Sequence, residues 1–452
     1  MLKVKNVMEH IINDFEIATV DLESLNSFFC ETRDMLNKLK IEFENDTAYK
    51  ISKILDEIYA VEEPSKINEL IEELYERVVF EKYKLKDIIK ITYVEEEQKI
   101  FYVMKKQFSD AGLDPKQARR KMYAICNQNI IFTRSILSNI IITFEKFLAS
   151  SYESLVVLEP QKYFENKTVA ISKLINENLI DIINDVIKQE VESNMFDSLK
   201  TLDRMKDKSK VDVDRYIPIR DDFEEIYYRR NAYVHTDGCA NKIYLEKVNP
   251  KFLKNIKLGD KLICDDEYLE RAIFMVNKII ASLHFELLKF NNAKSNDYTQ
   301  LMNFAFDVLR NENYILAEAI YGILRKERSF EYAHKAVFEV NYMLALKNQG
   351  KDISGLLEKF DVSMATADFV IAKRCLEDDY ESAYKLLSKE YKNYFNAEAI
   401  REWPIFDGFR NTEFYNKLIN ENKDDFERTF FENEPSIVDG CNSDNNSEIF
   451  EE

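Results

Sequence analysis

SILSNIIITFEKFLASSYESLVVL, residues 135–158, is strongly apolar and contains neither Gly nor Pro. Arg134, Asn139, Glu145 and Lys146 interrupt the apolar run from Ile130 to Leu148, so it is too polar to span a membrane. It reads as one long helix. The helix starts near residue 116, behind an Asp114 N-cap and Pro115 in the first turn, and it stops at Pro160 and Tyr163. Working outward, Pro64, Pro115, Pro160, Pro218 and Pro250 each fall where an amphipathic pattern breaks. Residues 67–81 place Ile67, Leu70, Ile71, Leu74, Tyr75, Val78 and Val79 on one helical face. Further helices are predicted over about 167–192, 219–231 and 265–290, with 194–217 as a polar loop or short helix.

Composition points the same way. The 452 residues include only 8 Gly and 7 Pro, where a chain of this length usually holds about 30 Gly. Few glycines mean few tight turns, which excludes an all-β sandwich. No G-x-G-x-x-G and no G-x-x-x-x-G-K-[ST] is present, which removes the common nucleotide-loop folds. The prediction is an all-α chain. The one small β-hairpin insert is placed at 236–263, where IYLEKV and DKLIC are rich in β-formers and two of the eight glycines fall.

The net charge of −19 is unevenly spread. Residues 421–452 carry eleven acids against Lys423 and Arg428, a net −9, which leaves about −10 for the body. An RNA partner therefore needs a local basic surface. The six cysteines are scattered without a C-x-x-C pair and read as reduced thiols. The N-terminus lacks the apolar core of a signal peptide. Together these predict a cytoplasmic protein with no membrane association and no metal or organic cofactor.

Four regions are expected. Residues 1–115 form a helical N-terminal region and 116–292 a helical bundle. Residues 297–418 form antiparallel helix pairs, and 419–452 an acidic disordered tail. In the third region, Tyr314-x-x-Ala317 is echoed 66 residues later by Tyr380-x-x-Ala383, close to twice a 34-residue tetratricopeptide period. WPIFDGFRNTEFYNKL (403–418) resembles the closing helix of such arrays.

The residues that suggest chemistry lie in EEIYYRRNAYVHTDGCANKIYL, 224–245. Arg230 precedes His235 by five positions, Asn231 follows the Arg, and Gly238 turns the chain just beyond. Arg328 and His334 also show the spacing, but they lie within a repeat-like helix with no turn after it. The first set, with the long preceding helix bearing Glu145, resembles HEPN domains of bacterial abortive-infection systems over about 116–292. That family places an Arg at a helix end, a polar neighbour beside it, and a His in the following turn.

The resemblance implies a metal-independent endoribonuclease that leaves a 2′,3′-cyclic phosphate. Such an enzyme serves as a toxin or effector in antiphage defence, with tRNA among its targets. It implies a homodimer whose two Arg-His sets line one cleft. Arg230 would stabilise phosphate, His235 would transfer protons and Asn231 would position them. Arg229 is a second candidate cation for the substrate. Glu145 joins the substrate-binding set as the acid that pairs near Arg229 or Arg230. The residue types suit this chemistry, because imidazole titrates near neutrality and a guanidinium can hold two phosphate oxygens at once. The alternative is a non-catalytic adaptor, in which the HEPN-like domain only dimerises and a regulatory protein binds through 297–418.

Overall fold

The computed structural model describes residues 7–426, apart from 62, 81–82, 96, 110–113, 166 and 363–365. The long helix predicted from residue 116 is present as Pro115–Leu158 (α4), with Asp114 accepting from the Lys116 N–H at 2.9 Å as its N-cap. Val7–Asn45 (α1), Thr47–Tyr59 (α2) and Pro64–Arg77 (α3) precede it. Leu179–Asn194 (α5), Ser198–Ser209 (α6), Arg220–His235 (α7) and Asp266–Phe290 (α8) follow.

Four of these helices make a bundle. Ser150 meets His10, and the Phe29 and Phe132 rings stack, so α1 runs antiparallel to α4. Phe15 stacks on His284 while Arg33 reaches Glu270, so α1 is also antiparallel to α8. Glu145 meets Arg230 while Arg134 meets Asp237, so α7 is antiparallel to α4. The core is continuous through Phe15, Leu22, Ile140, Phe144, Phe223, Ile226, Val276 and Ile280. Glu190 of α5 is buried and accepts from Tyr152 of α4 and Arg204 of α6, which ties those helices to the bundle.

The N-terminal region divides between two cores. Helix α1 belongs to the bundle core, whereas Ile51, Leu55, Ile71, Leu74 and Ile89 belong to a separate smaller one. The smaller unit also contains the sheet that the sequence reading placed elsewhere. Val79–Phe80 (β1) pairs with Tyr83–Lys84 (β2), and Ile89–Val94 (β3) pairs antiparallel with Lys99–Met104 (β4), Ile91 opposite Tyr102. Burial alternates along both strands, although only β3 alternates apolar and polar residues. The turn between β3 and β4 contains no glycine, and Gln98 takes the left-handed φ of 49°. Val78 and Val79, predicted to continue a helix, lie beyond its end at Arg77: Val78 is extended and Val79 begins β1.

At 236–263 the predicted hairpin is absent. IYLEKV lies in the short helix Lys242–Lys247, because Asn241 accepts from the Tyr244 N–H at 2.9 Å and Tyr244 and Val248 bury one turn apart. The cap outweighs the β-propensity of Ile, Tyr and Val. Only one isolated bridge, Cys239 with Lys261, remains of the expected ladder. The helix predicted over 167–192 is broken as well. Ile171–Asn176 and α5 are separate, because Asn178 caps the Ile180 N–H.

Beyond the bundle, Thr299–Arg310 (α9), Tyr314–Leu324 (α10), Tyr332–Asn348 (α11), Ala367–Leu376 (α12), Tyr380–Tyr394 (α13) and Glu413–Glu421 (α14) pack one on the next. Gln349 meets Tyr314 and Glu339 meets Arg325, so α10 and α11 are antiparallel, whereas Tyr332 meets Phe369 and Lys347 meets Leu376, so α11 and α12 are parallel. The 66-residue echo is structural. Glu312 and Asp378 both turn with left-handed φ (60° and 58°). Asn313 and Asp379 then cap α10 and α13, and Ala317 and Ala383 are both fully buried. Phe426 is buried and stacks on Tyr391, so the chain is still packed at the last described residue. The rest of the acidic tail lies outside the described residues. No helix among them is long and apolar enough to cross a membrane.

Candidate functional site

Helix α7 carries four of the predicted residues, Arg229, Arg230, Asn231 and His235, and directs them to three different surfaces. It begins behind Pro218, with Asp214 accepting from the backbone N–H groups of Ile219 and Arg220 at 2.8 and 2.9 Å. Phe223, Ile226 and Tyr227 bury against the bundle, with the Phe223 ring 4.4 Å from that of Phe144. The helix continues four residues past its predicted end. His235 is therefore its last residue and does not lie in the turn that follows. Thr236 closes the helix, and its N–H donates to the Ala232 carbonyl at 2.8 Å.

Arg229 faces α8. Its Nε donates to Glu225 at 2.7 Å, and its guanidinium also donates to the Tyr244 hydroxyl and the Ile263 carbonyl and sits 4.2 Å from the Tyr268 ring centre. Glu225 is fully buried and also accepts from Tyr244 (2.8 Å), Tyr268 (3.0 Å) and Arg271 (2.8 Å). Burial alone would lower the Arg229 pKa, but Tyr268, Glu225 and Tyr244 outweigh it and hold it above the ordinary value. Arg229 is a member of a closed network and has no donor aimed at a cleft.

Arg230 faces α4. Its guanidinium donates to Glu145 and lies 5.5 Å from the Tyr227 ring centre, while its buried Nε has no hydrogen-bond partner among the described residues. Glu145 thus pairs with Arg230 and not with Arg229. His235 is exposed, with no hydrogen bond or ion pair among the described residues. Asn231, one turn before it, lies on the same side of the helix. Five residues at about 100° each place Arg230 and His235 about 140° apart around the axis and about 7.5 Å along it. The single chain brings Arg230 to Glu145 and Asn231 to His235, but it does not bring Arg230 to His235.

The turn after α7 adds two cations that the sequence reading did not place at the site. Arg134 of α4 and Lys261 both bind the Asp237 carboxylate, Lys261 at 2.9 Å, and together they hold that carboxyl below its ordinary range. The signal for Arg134 was present in the sequence. It precedes Glu145 by 11 residues, which is about three helical turns and returns to the same face of α4. The buried Arg134 Nε also lacks a partner among the described residues. Asp237 and Gly238 both have left-handed φ (53° and 73°), and a Cβ on Gly238 would come within 3.1 Å of the Tyr233 ring. Gly238 therefore fixes where the chain leaves His235.

The other histidines are placed differently. His284 is fully buried, its ring 4.1 Å from that of Phe15, and burial pushes its pKa down to about 3. His334 packs beside Phe330 and Phe338 in the repeat region. His10 gathers with Ser150 (2.9 Å) and Asp14 (3.2 Å), but both use the same ring nitrogen, Nε2, so no Ser-His-Asp relay forms.

No family model matches the chain, and no curated protein or solved structure matches it.

Proposed function

We propose that the chain is a metal-independent endoribonuclease of the HEPN type that acts as a homodimer. The observation that carries this reading is the exposed His235 at the end of α7, without a side-chain partner among the described residues, with Asn231 on its side of the helix and Arg134 reaching Asp237 in the turn that follows. Arg230 and His235 point to different sides of one helix, so a catalytic set combining them has to be completed by a second copy. Exposed Ile142 and Val234, on the same pair of helices, offer apolar surface for that contact. In such a cleft His235 transfers a proton to or from a ribose oxygen and Asn231 orients it. Arg230, released from Glu145 by the incoming phosphate, stabilises the developing charge. The product is a 2′,3′-cyclic phosphate, and the setting is a toxin or effector of cytoplasmic phage defence.

A second reading, the non-catalytic adaptor, draws support from the Arg230–Glu145 ion pair, which occupies the arginine that the chemistry needs. One assay separates the two. Purified protein is incubated with total RNA in EDTA, wild type beside His235→Ala. The nuclease reading expects cleavage by wild type and none by a variant that melts at the same temperature. Cleavage retained by the folded variant would overturn it. No cleavage by wild type, with a protein captured through 297–418, favours the adaptor.

A further inference from the structure

A cleft of about 570 Å³ opens where the bundle meets the repeat region, away from α7's C-terminal end. Its walls come from the Tyr216–Ile217 loop, α8, α10, the Arg325–Lys326 turn and α11. The volume falls within the usual range for small-molecule sites. Three carboxylates stand in or near it, and each already has a cationic partner. Arg325 holds Glu339 in a two-pronged pair, at 2.8 and 2.6 Å. Lys351 and Gln349 hold Glu318 at 2.6 and 2.9 Å. Lys251 reaches Asp222, on the neighbouring α7, at 3.2 Å.

Two lysines remain. Lys278 of α8 is half-buried and has no ion-pair partner among the described residues. Burial holds its ammonium below the ordinary value, against the pull of Asp222 and Glu318. Lys326 has no carboxylate partner among them either, and meets only the Tyr216 carbonyl (3.4 Å) and ring (5.6 Å to its centre). A half-buried ammonium with no ion pair of its own, beside an exposed one, favours an anion that bridges the two. The same wall carries a flat surface, because the Arg325 guanidinium lies 4.2 Å from the Tyr342 ring centre. Since Glu339 already fixes this arginine, a planar group stacked on its outer face would extend an ordered Tyr–Arg pile.

We propose that this cleft is a binding site for a nucleotide, with the phosphates on Lys278 and Lys326 and the base stacked on the Arg325–Tyr342 pair. The site is independent of the nuclease reading, since none of its residues belongs to that set. It lies between the bundle and the repeats, so it is placed to couple a small-molecule signal to the way the two parts pack.

The test is isothermal titration calorimetry on the full chain at low salt, with ATP and with inorganic tripolyphosphate as probes. Wild type is compared with Lys278→Met, Lys326→Ala and, as a control on an exposed lysine of α5, Lys188→Ala. ATP is expected to bind saturably and more tightly than tripolyphosphate. Each of the first two substitutions should weaken ATP at least tenfold, as the loss of a charged hydrogen bond does, and the control should leave it unchanged. Lys326 is at the surface, so its variant keeps the test valid if Lys278→Met fails to fold. The proposal is overturned if wild type gives no saturable binding at about 1 mM ATP, or if ATP binds the two lysine variants as it binds wild type. Tripolyphosphate binding as tightly as ATP would overturn the nucleotide assignment, because the base would then contribute nothing.

Discussion

The side of α7 that faces α8 is closed, and the side that faces α4 is open. Toward α8, Glu225 accepts from two arginines and two tyrosines, and Arg229 has a carboxylate, a hydroxyl, a carbonyl and an aromatic face. Toward α4, Arg230 has one carboxylate and an unsatisfied Nε. Exposure does not separate the two arginines, since their side chains are 11% and 16% accessible. The number and burial of their partners do. Glu225 is buried, whereas Glu145 is 30% accessible and can be hydrated when it loses its partner. A closed network holds a helix in place, and an open pair leaves a cation that a ligand can take over.

The harshest way to break this contrast is Glu225→Ala. It strands Arg229 and Arg271 against each other without a counter-charge, and the expected loss is about 3–5 kcal/mol in urea denaturation. A loss below about 1 kcal/mol would mean that water replaces the carboxylate and that the network is not closed. The neighbouring arginines sharpen the contrast. Arg229→Ala should cost about 3 kcal/mol by leaving Glu225 under-satisfied, against about 1 kcal/mol for Arg230→Ala, and only the second should abolish RNA cleavage at unchanged fold. Equal losses from the two would erase the distinction. A modest effect is also expected at the turn. Gly238→Ala places a Cβ at a left-handed φ against the Tyr233 ring, and should lower stability by about 1–2 kcal/mol, read as a fall in Tm. Unchanged stability would show that Tyr233 moves aside and that the turn does not fix His235.

The helices were legible because amphipathic period, N-caps and prolines all act within a few residues. Asp114-Pro115 begins a helix where the sequence says so, and Asn313 and Asp379 cap the two helices that carry the 66-residue echo. The hairpin was misread for a reason that is also local. Glycine is the usual mark of tight turns, yet Gln98, Lys210, Asp237, Asn255, Asn292, Glu312 and Asp378 all adopt positive φ in its place. The strain at each is modest and is offset by packing and hydrogen bonds around the turn. IKITYV alternates as a strand should and KIFYVM is rich in β-formers, but with no glycine between them nothing in the sequence marks a turn. At the site, the residue types and the Arg-to-His spacing were visible in the sequence. Arg134 stood three helical turns before Glu145 but had been weighed only as an interruption of an apolar run.

By itself, then, the sequence determined the all-α character, the start of the long helix, the 66-residue echo and a short list of charged residues. These depend on periodicity and on neighbours a few positions away. The tertiary structure alone decided which arginine is locked and which is available, that Arg134 and Lys261 converge on Asp237, and that Lys278 lies half-buried without an ion-pair partner among the described residues. Each of those outcomes depends on what a distant helix places within about 4 Å of a charge. A guanidinium at 229 and one at 230 are chemically identical until α4 and α8 supply their partners.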